Sequence, residues 1–208
     1  GQDYEVVLHD LSNMDNSVVA VANGHVSGRK IGSPMNENGL RLIRTEAWKQ
    51  NQELIRYRGY SKKTNHLLCF TRFIKNQQGD PIGMLCINYD YASNQKLVDS
   101  ISEQLGIAEL SDQAESEKIF HSDTEKFPDS MEEVVYAICN QVMLEVPVPV
   151  DRLSQDEKIA IVEKLEAKGV FLFKGAVTLV AGRLQTSEAT VYRYLSKINR
   201  TGPKNGLQ

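Results

Sequence analysis

The sequence predicts an α+β chain, an antiparallel sheet domain with flanking helices followed by an all-α domain. Three observations predict it. Short β-branched and apolar runs, separated by turn residues, fill residues 5–90. Capped segments with helical periodicity fill residues 151–200. The charge also changes sign along the chain. Residues 1–90 carry eleven Lys/Arg and nine Asp/Glu, residues 91–150 three and twelve, and residues 151–208 ten and six, so the near-neutral total of −3 is a sum over unlike pieces.

Composition narrows the class. Over 208 residues, 41% are hydrophobic and 25% charged, near the globular average, which argues against a disordered or fibrous chain. No apolar run reaches the roughly 18 residues of a membrane span, so no membrane partner is expected. Cys69, Cys86 and Cys139 form no CxxC pair and share no metal-ligand spacing with the four histidines. They read as small buried hydrophobes of a reduced, cytoplasmic protein.

Each element has a local cause. Glu5–Asp10 and Ser17–Ala22 read as strands, the second dense in valine, and Asn23-Gly24 closes it with a turn. Residues 38–55 read as a helix through Leu40, Ile43, Ala47 and Leu54. Leu67–Ile74 and Pro81–Asn88 form a hairpin around Gln78-Gly79-Asp80. The apolar run Met84–Ile87 predicts a central strand covered on both faces. Ser93–Leu105 is a helix with Val98, Ile101 and Leu105 on one seam, the expected carrier of a signal out of the sheet domain. Residues 106–129 are an acidic linker. Ser130 with Glu133 starts a helix over 131–144, ended by Pro147 and Pro149.

The last third has the clearest grammar. Ser154 with Glu157 is a capping box, and Gly169 closes that helix at C′. Ala176–Leu184 is a short apolar helix, Gln185-Thr186-Ser187 a tight turn, and Glu188–Asn199 a helix with Val191, Leu195 and Ile198 inward. A helix, a short turn and a helix with a basic outer face is the geometry that reads the major groove of DNA. The candidate contacts are Thr186, Ser187, Glu188, Ala189, Thr190, Tyr192, Arg193 and Lys197, with Thr186 or Ser187 capping the reading helix. One such helix offers little contact area, so a homodimer on a roughly palindromic operator is expected.

The stretch from Glu157 through Lys168-Gly169-Val170-Phe171 to Ala176-Val177, with Thr190-Val191-Tyr192-Arg193-Tyr194-Leu195, resembles the helix-turn-helix of the YheO-like (DauR-type) transcriptional regulators. Glu5–Leu11, Asn23–Arg29 and Ile82–Asp90 resemble that family's PAS-like sensor domain. The resemblance runs from about residue 3 to 198 and implies a PAS-like sensor joined to a DNA-binding domain in a bacterial regulator. Two positions depart from the family's pattern. Gln185 stands where the turn usually has Gly, and Leu67–Thr71 replaces a more polar strand.

In the sensor half, His9, Asp10, Asn23, His25, Ser27, Arg29, Thr71, Asn88 and Asp90 form a polar set on an apolar background, the composition of a small-ligand site. Arg29 suits a carboxylate and Asp10 or Asp90 an amine, which fits a small polar metabolite such as an amino acid. No cofactor is expected. Catalysis by Cys86 with a histidine is disfavoured because an apolar strand suppresses thiolate formation, and no phosphate, dinucleotide or hydrolase motif is present. The expected division is a PAS-like sensor over 1–106, an acidic linker and connecting helix over 107–150, the helix-turn-helix domain over 151–200 and a polar tail over 201–208. A signalling module that docks a protein partner through its helical end is the competing reading.

Overall fold

A computed structural model describes residues 1–49, 55–61, 63–64, 66–106, 125–126, 128–146 and 148–201. The first half is a sheet. Strands β1 (Tyr4–Asp10), β2 (Val18–Ala22), β3 (Ile55–Tyr60), β4 (Leu67–Lys75), β5 (Pro81–Asp90) and the two-residue β6 (Glu125–Lys126) lie in the order β2-β1-β5-β4-β3-β6. The first five strands pair antiparallel, and β6 joins β3 in parallel. Period-2 alternation sends Glu5, Val7 and His9 of β1 to one face, with Met84, Cys86 and Asn88 of β5 beside them. The expected hairpin turns at Gly79, whose φ of +90° glycine adopts without penalty.

Two expectations change. The helix read over 38–55 is reduced to α1 (Glu37–Arg44) and a single 3-10 turn at Ala47–Lys49. Asn36 caps it through Gly39 N–H, and Glu46, at φ +51°, turns the chain out of it. Ile55, the last residue of that stretch, begins β3, and Leu54 lies outside the described residues. The alternation of Ile55, Tyr57 and Gly59 inward with Arg56 and Arg58 outward was the overlooked signal. The second change concerns β5. It is central, but only its inner face is sealed. Met84 and Cys86 are buried while Leu85 and Ile87 remain half-exposed. Residues 107–124 of the acidic linker, Pro147 and residues 202–208 of the tail lie outside the described residues.

The helices follow their caps. Helix α2 (Ala92–Leu105) ends at Gly106 in the left-handed region. Helix α3 (Met131–Leu144) starts at Ser130, which accepts from Glu133 N–H, whereas the Glu133 carboxylate accepts from Asp129 N–H, one residue short of a full capping box. Helix α4 (Gln155–Ala167) has the complete box between Ser154 and Glu157. Helices α5 (Ala176–Arg183) and α6 (Glu188–Thr201) follow. Helix α3 packs on α4 and α5, and α6 packs on both as well, so the bundle includes the helix at 131–144.

The two halves touch through α1. Arg44 pairs with Glu166 at 2.5 Å and Lys168 with Glu37 at 3.2 Å. Gly169 lies so close to α1 that a Cβ there would meet Leu40 Cβ and the Leu40 carbonyl at 3.3 Å. Leu40 is itself fully buried in the core.

Candidate functional site

Among the described residues, every buried polar or charged side chain belongs to the sheet half. Most gather where the inner sheet face meets the 23–44 segment. That segment turns tightly at Gly24, where any side chain would collide with the Arg29 carbonyl, and this fold-back delivers Ser27 and Arg29 onto β1.

Two groups form there. In the first, His9 and Arg29 are buried, and Arg29 Nη1 donates to His9 Nε2 at 3.2 Å. Guanidinium only donates, so Nε2 accepts and the ring carries its proton on Nδ1, which donates to Ser17 Oγ at 2.9 Å. Burial, and then the Arg29 charge, hold the His9 pKa well below its usual value. In the second group, Glu5 is completely buried. Its two oxygens accept from Ser27 Oγ and Asn88 Nδ2, each at 2.7 Å. The cross-strand registers Glu5↔Asn88 and Asn88↔Cys69 place this pair beside β4. Thr71 sits one row on, 2.9 Å from Tyr57 Oη and 3.2 Å from Cys86 Sγ.

Of the expected set, His9, Ser27, Arg29, Thr71 and Asn88 thus share the inner face. The other four hold the rims of the sheet. Asp10 accepts from Ser12 N–H and Oγ–H, which lowers its pKa. Asn23, at φ +56°, donates to the carbonyls of Gly1 and Tyr4. His25 meets the Gln2 carbonyl, and Asp90 accepts from Thr64 and from Ala92 N–H at the start of α2. Glu5, Ser17 and Tyr57 were overlooked. For Glu5 the signal was available, because it lies on the same period-2 line as His9.

At the other end, α5 and α6 enclose the turn Leu184–Ser187. Gln185 takes φ +48°, which costs a non-glycine residue about 1 kcal/mol. Ser187 caps α6, accepting from Thr190 N–H at 3.2 Å. Val191 and Tyr194 are buried while Ala189, Tyr192, Arg193 and Lys197 are exposed along one face. Glu188 is engaged backwards, accepting from Thr178 Oγ1 of α5 at 2.8 Å. On α5, Arg183 is held by Asn140 and stacks over Tyr136 of α3, so it serves the bundle. The buried Cys139 thiol beside it is pushed up to about 11 by desolvation, far from a nucleophile's range.

An antiparallel sheet domain followed by a helical domain with a helix-turn-helix matches two family models, a YheO-like PAS domain over residues 1–106 and a helix-turn-helix domain over residues 134–196. The chain belongs to the YheO-like PAS family. An uncharacterized Haemophilus influenzae protein is 30% identical over 201 residues, 96% of this chain and 85% of its own length. The uncharacterized protein YheO of Escherichia coli K12 is 29% identical over 94% of this chain and 77% of its own. The transcriptional regulator DauR of Pseudomonas aeruginosa is 22% identical over 95% of this chain and 87% of its own. A YheO-like PAS domain joined to a helix-turn-helix makes this chain a transcriptional regulator of the DNA-binding kind, and the family points to that role rather than to an enzyme's. Among the described residues, no helix is long and apolar enough to cross a membrane.

Proposed function

We propose that this protein is a ligand-responsive bacterial regulator working in the cytoplasm. Its PAS-like domain senses a small polar metabolite, an amino acid being the candidate that suits its charges, and controls operator binding by α6. The observation that carries the reading is the division of polar groups. The sheet half buries its polar side chains on one face under the 23–44 segment, whereas α6 shows Tyr192, Arg193 and Lys197 to solvent. Buried polar groups cost stability unless bonded, and a sensor accepts that cost at its recognition site. Thr186, Ser187, Ala189 and Thr190 would lie nearest the base edges, and Lys197 nearest a phosphate.

The route between the two sites runs through α1. The segment that supplies Ser27 and Arg29 continues into α1, whose Glu37, Leu40 and Arg44 touch Lys168, Gly169 and Glu166. Displacing that segment on ligand binding would therefore move the reader. This route stands beside the helix at 93–105, the carrier suggested by sequence order.

Helix α2 suits dimerisation instead. Leu97, Ile101 and Leu105 follow one another at four-residue spacing and are 61%, 46% and 63% exposed. Asn94 donates to Tyr89 Oη and ties α2 to the outer sheet face, where Tyr4 and Val6 are also exposed. Exposed apolar side chains of this kind favour pairing with a second copy.

Selection from fragmented genomic DNA tests the reading. An inverted-repeat site should be enriched, and Arg193→Ala should weaken its binding by about 1–3 kcal/mol. Affinity should fall steeply with added salt as phosphate counterions are released. Salt-independent binding, or none, would favour a protein-docking role for the helical end.

A further inference from the structure

We propose that Glu5 and Asn88 form the seat for the amino group of the ligand, an ammonium held between a buried carboxylate and a buried amide oxygen. This rests on the sensing role proposed above and adds the chemical class to it. Both side chains have zero exposure and meet through the Glu5↔Asn88 register of β1 and β5. Glu5 accepts one hydrogen bond on each oxygen, from Ser27 and from Asn88. A carboxylate has about four lone-pair sites, so half its capacity is unused. Asn88 Nδ2 is the group bonded to Glu5, and Asn88 Oδ1, on the same amide, is buried with no hydrogen-bond partner. Native proteins leave few buried acceptors in that condition.

The missing group must therefore donate several hydrogen bonds to oxygens. Its charge should be positive, because among the described residues no Lys or Arg forms an ion pair with Glu5. Arg29 is not ion-paired with it. The Arg29 guanidinium reaches His9 on the next group along β1, and Ser27 stands between, its Oγ accepting from Arg29 N–H while donating to Glu5. An ammonium supplies three donors and a full charge, and charge-assisted bonds are about twice as strong as neutral ones. A hydroxyl supplies one donor and no charge. A divalent metal is a poor fit, since among the described residues no three His, Cys, Asp or Glu side chains converge to hold one.

Isothermal calorimetry on the full chain tests this. The probes are the common L-amino acids and ethanolamine, each beside the analogue with hydroxyl in place of the amine. At least one amine should bind, with its hydroxy analogue at least tenfold weaker, and Glu5→Gln should abolish that preference. The paired comparison uses the unaltered protein, so it decides the matter even if Glu5→Gln fails to fold. A hydroxy analogue that binds as tightly, or silence from every amine, overturns the assignment. Operator binding that responds to the small-molecule fraction of a cell extract would show that sensing itself survives that result.

Discussion

Gly169→Ala probes the joint between the two halves. Gly169 is the residue after the C-cap of α4 and sits at φ +78°. A side chain there pays about 1–2 kcal/mol for the left-handed conformation. Its Cβ would also press on Leu40 Cβ, the Leu40 carbonyl and Leu172 Cδ1, each at 3.3 Å. Contacts that tight force a shift of a few tenths of an ångström in a packed core, which costs about a further 1 kcal/mol. The expected total is about 2–3 kcal/mol. With a urea slope of about 2–3 kcal/mol per molar, the midpoint falls by roughly 1 M. Gly106→Ala is the matched reference, because Gly106 also follows a helix, at φ +65°, but a Cβ there meets nothing within 4 Å. Trp48, the single tryptophan, packs edge-on against Phe73 in the sheet half and reports unfolding there by fluorescence, while far-ultraviolet circular dichroism follows the helices. Gly169→Ala should lower both midpoints together and by more than Gly106→Ala. A fluorescence midpoint that stays where it was while the helices melt earlier would refute the contact between Leu40 and Gly169.

Acid should loosen the sensor through His9. Its folded pKa lies below the unfolded value, so its stabilising contribution is complete above about pH 6.5 and is lost as pH falls towards the folded value, by at most about 1.4 kcal/mol per pH unit. Urea titrations between pH 7.5 and 5 should show that slope, and His9→Gln should flatten it. Gln185→Gly should stabilise the helical domain by about 1 kcal/mol by relieving the left-handed turn, read as a higher midpoint in circular dichroism. Cys69, Cys86 and Cys139 are all buried, so iodoacetamide at pH 8 should leave them unlabelled in the native protein and modify all three in urea, as intact mass would record.

Much of the local structure was legible because its causes are local. Ser154 with Glu157, Gly169 at C′, the hairpin at Gly79 and the strained turn at Gln185 each depend on neighbours a few residues away. The failure at 38–55 was local too. Leu40, Ile43 and Ala47 kept helical spacing, and nothing in that spacing announced that Glu46 would turn the chain into the left-handed region. The buried polar set was legible only in part. Polar residues could be picked out as a class, but Asp10 and Asp90 were chosen and Glu5 was passed over, and only the sheet placed the first two at its rims and Glu5 on the inner face.

The sequence by itself determined most of the elements other than β3, most of the caps and the outward face of α6, because periodicity and capping are properties of short windows. Only the tertiary structure decided which polar groups meet. Glu5 and Asn88 are 83 residues apart and Arg44 and Glu166 are 122 apart. Strand order and docking set those pairings, and a one-residue slip in the register of β1 against β5 would turn Glu5 and His9 to the opposite face. The chain could thus be read as a PAS-like domain joined to a helix-turn-helix, whereas the buried Glu5 carboxylate emerged only once β1, β5 and the 23–44 segment were brought together.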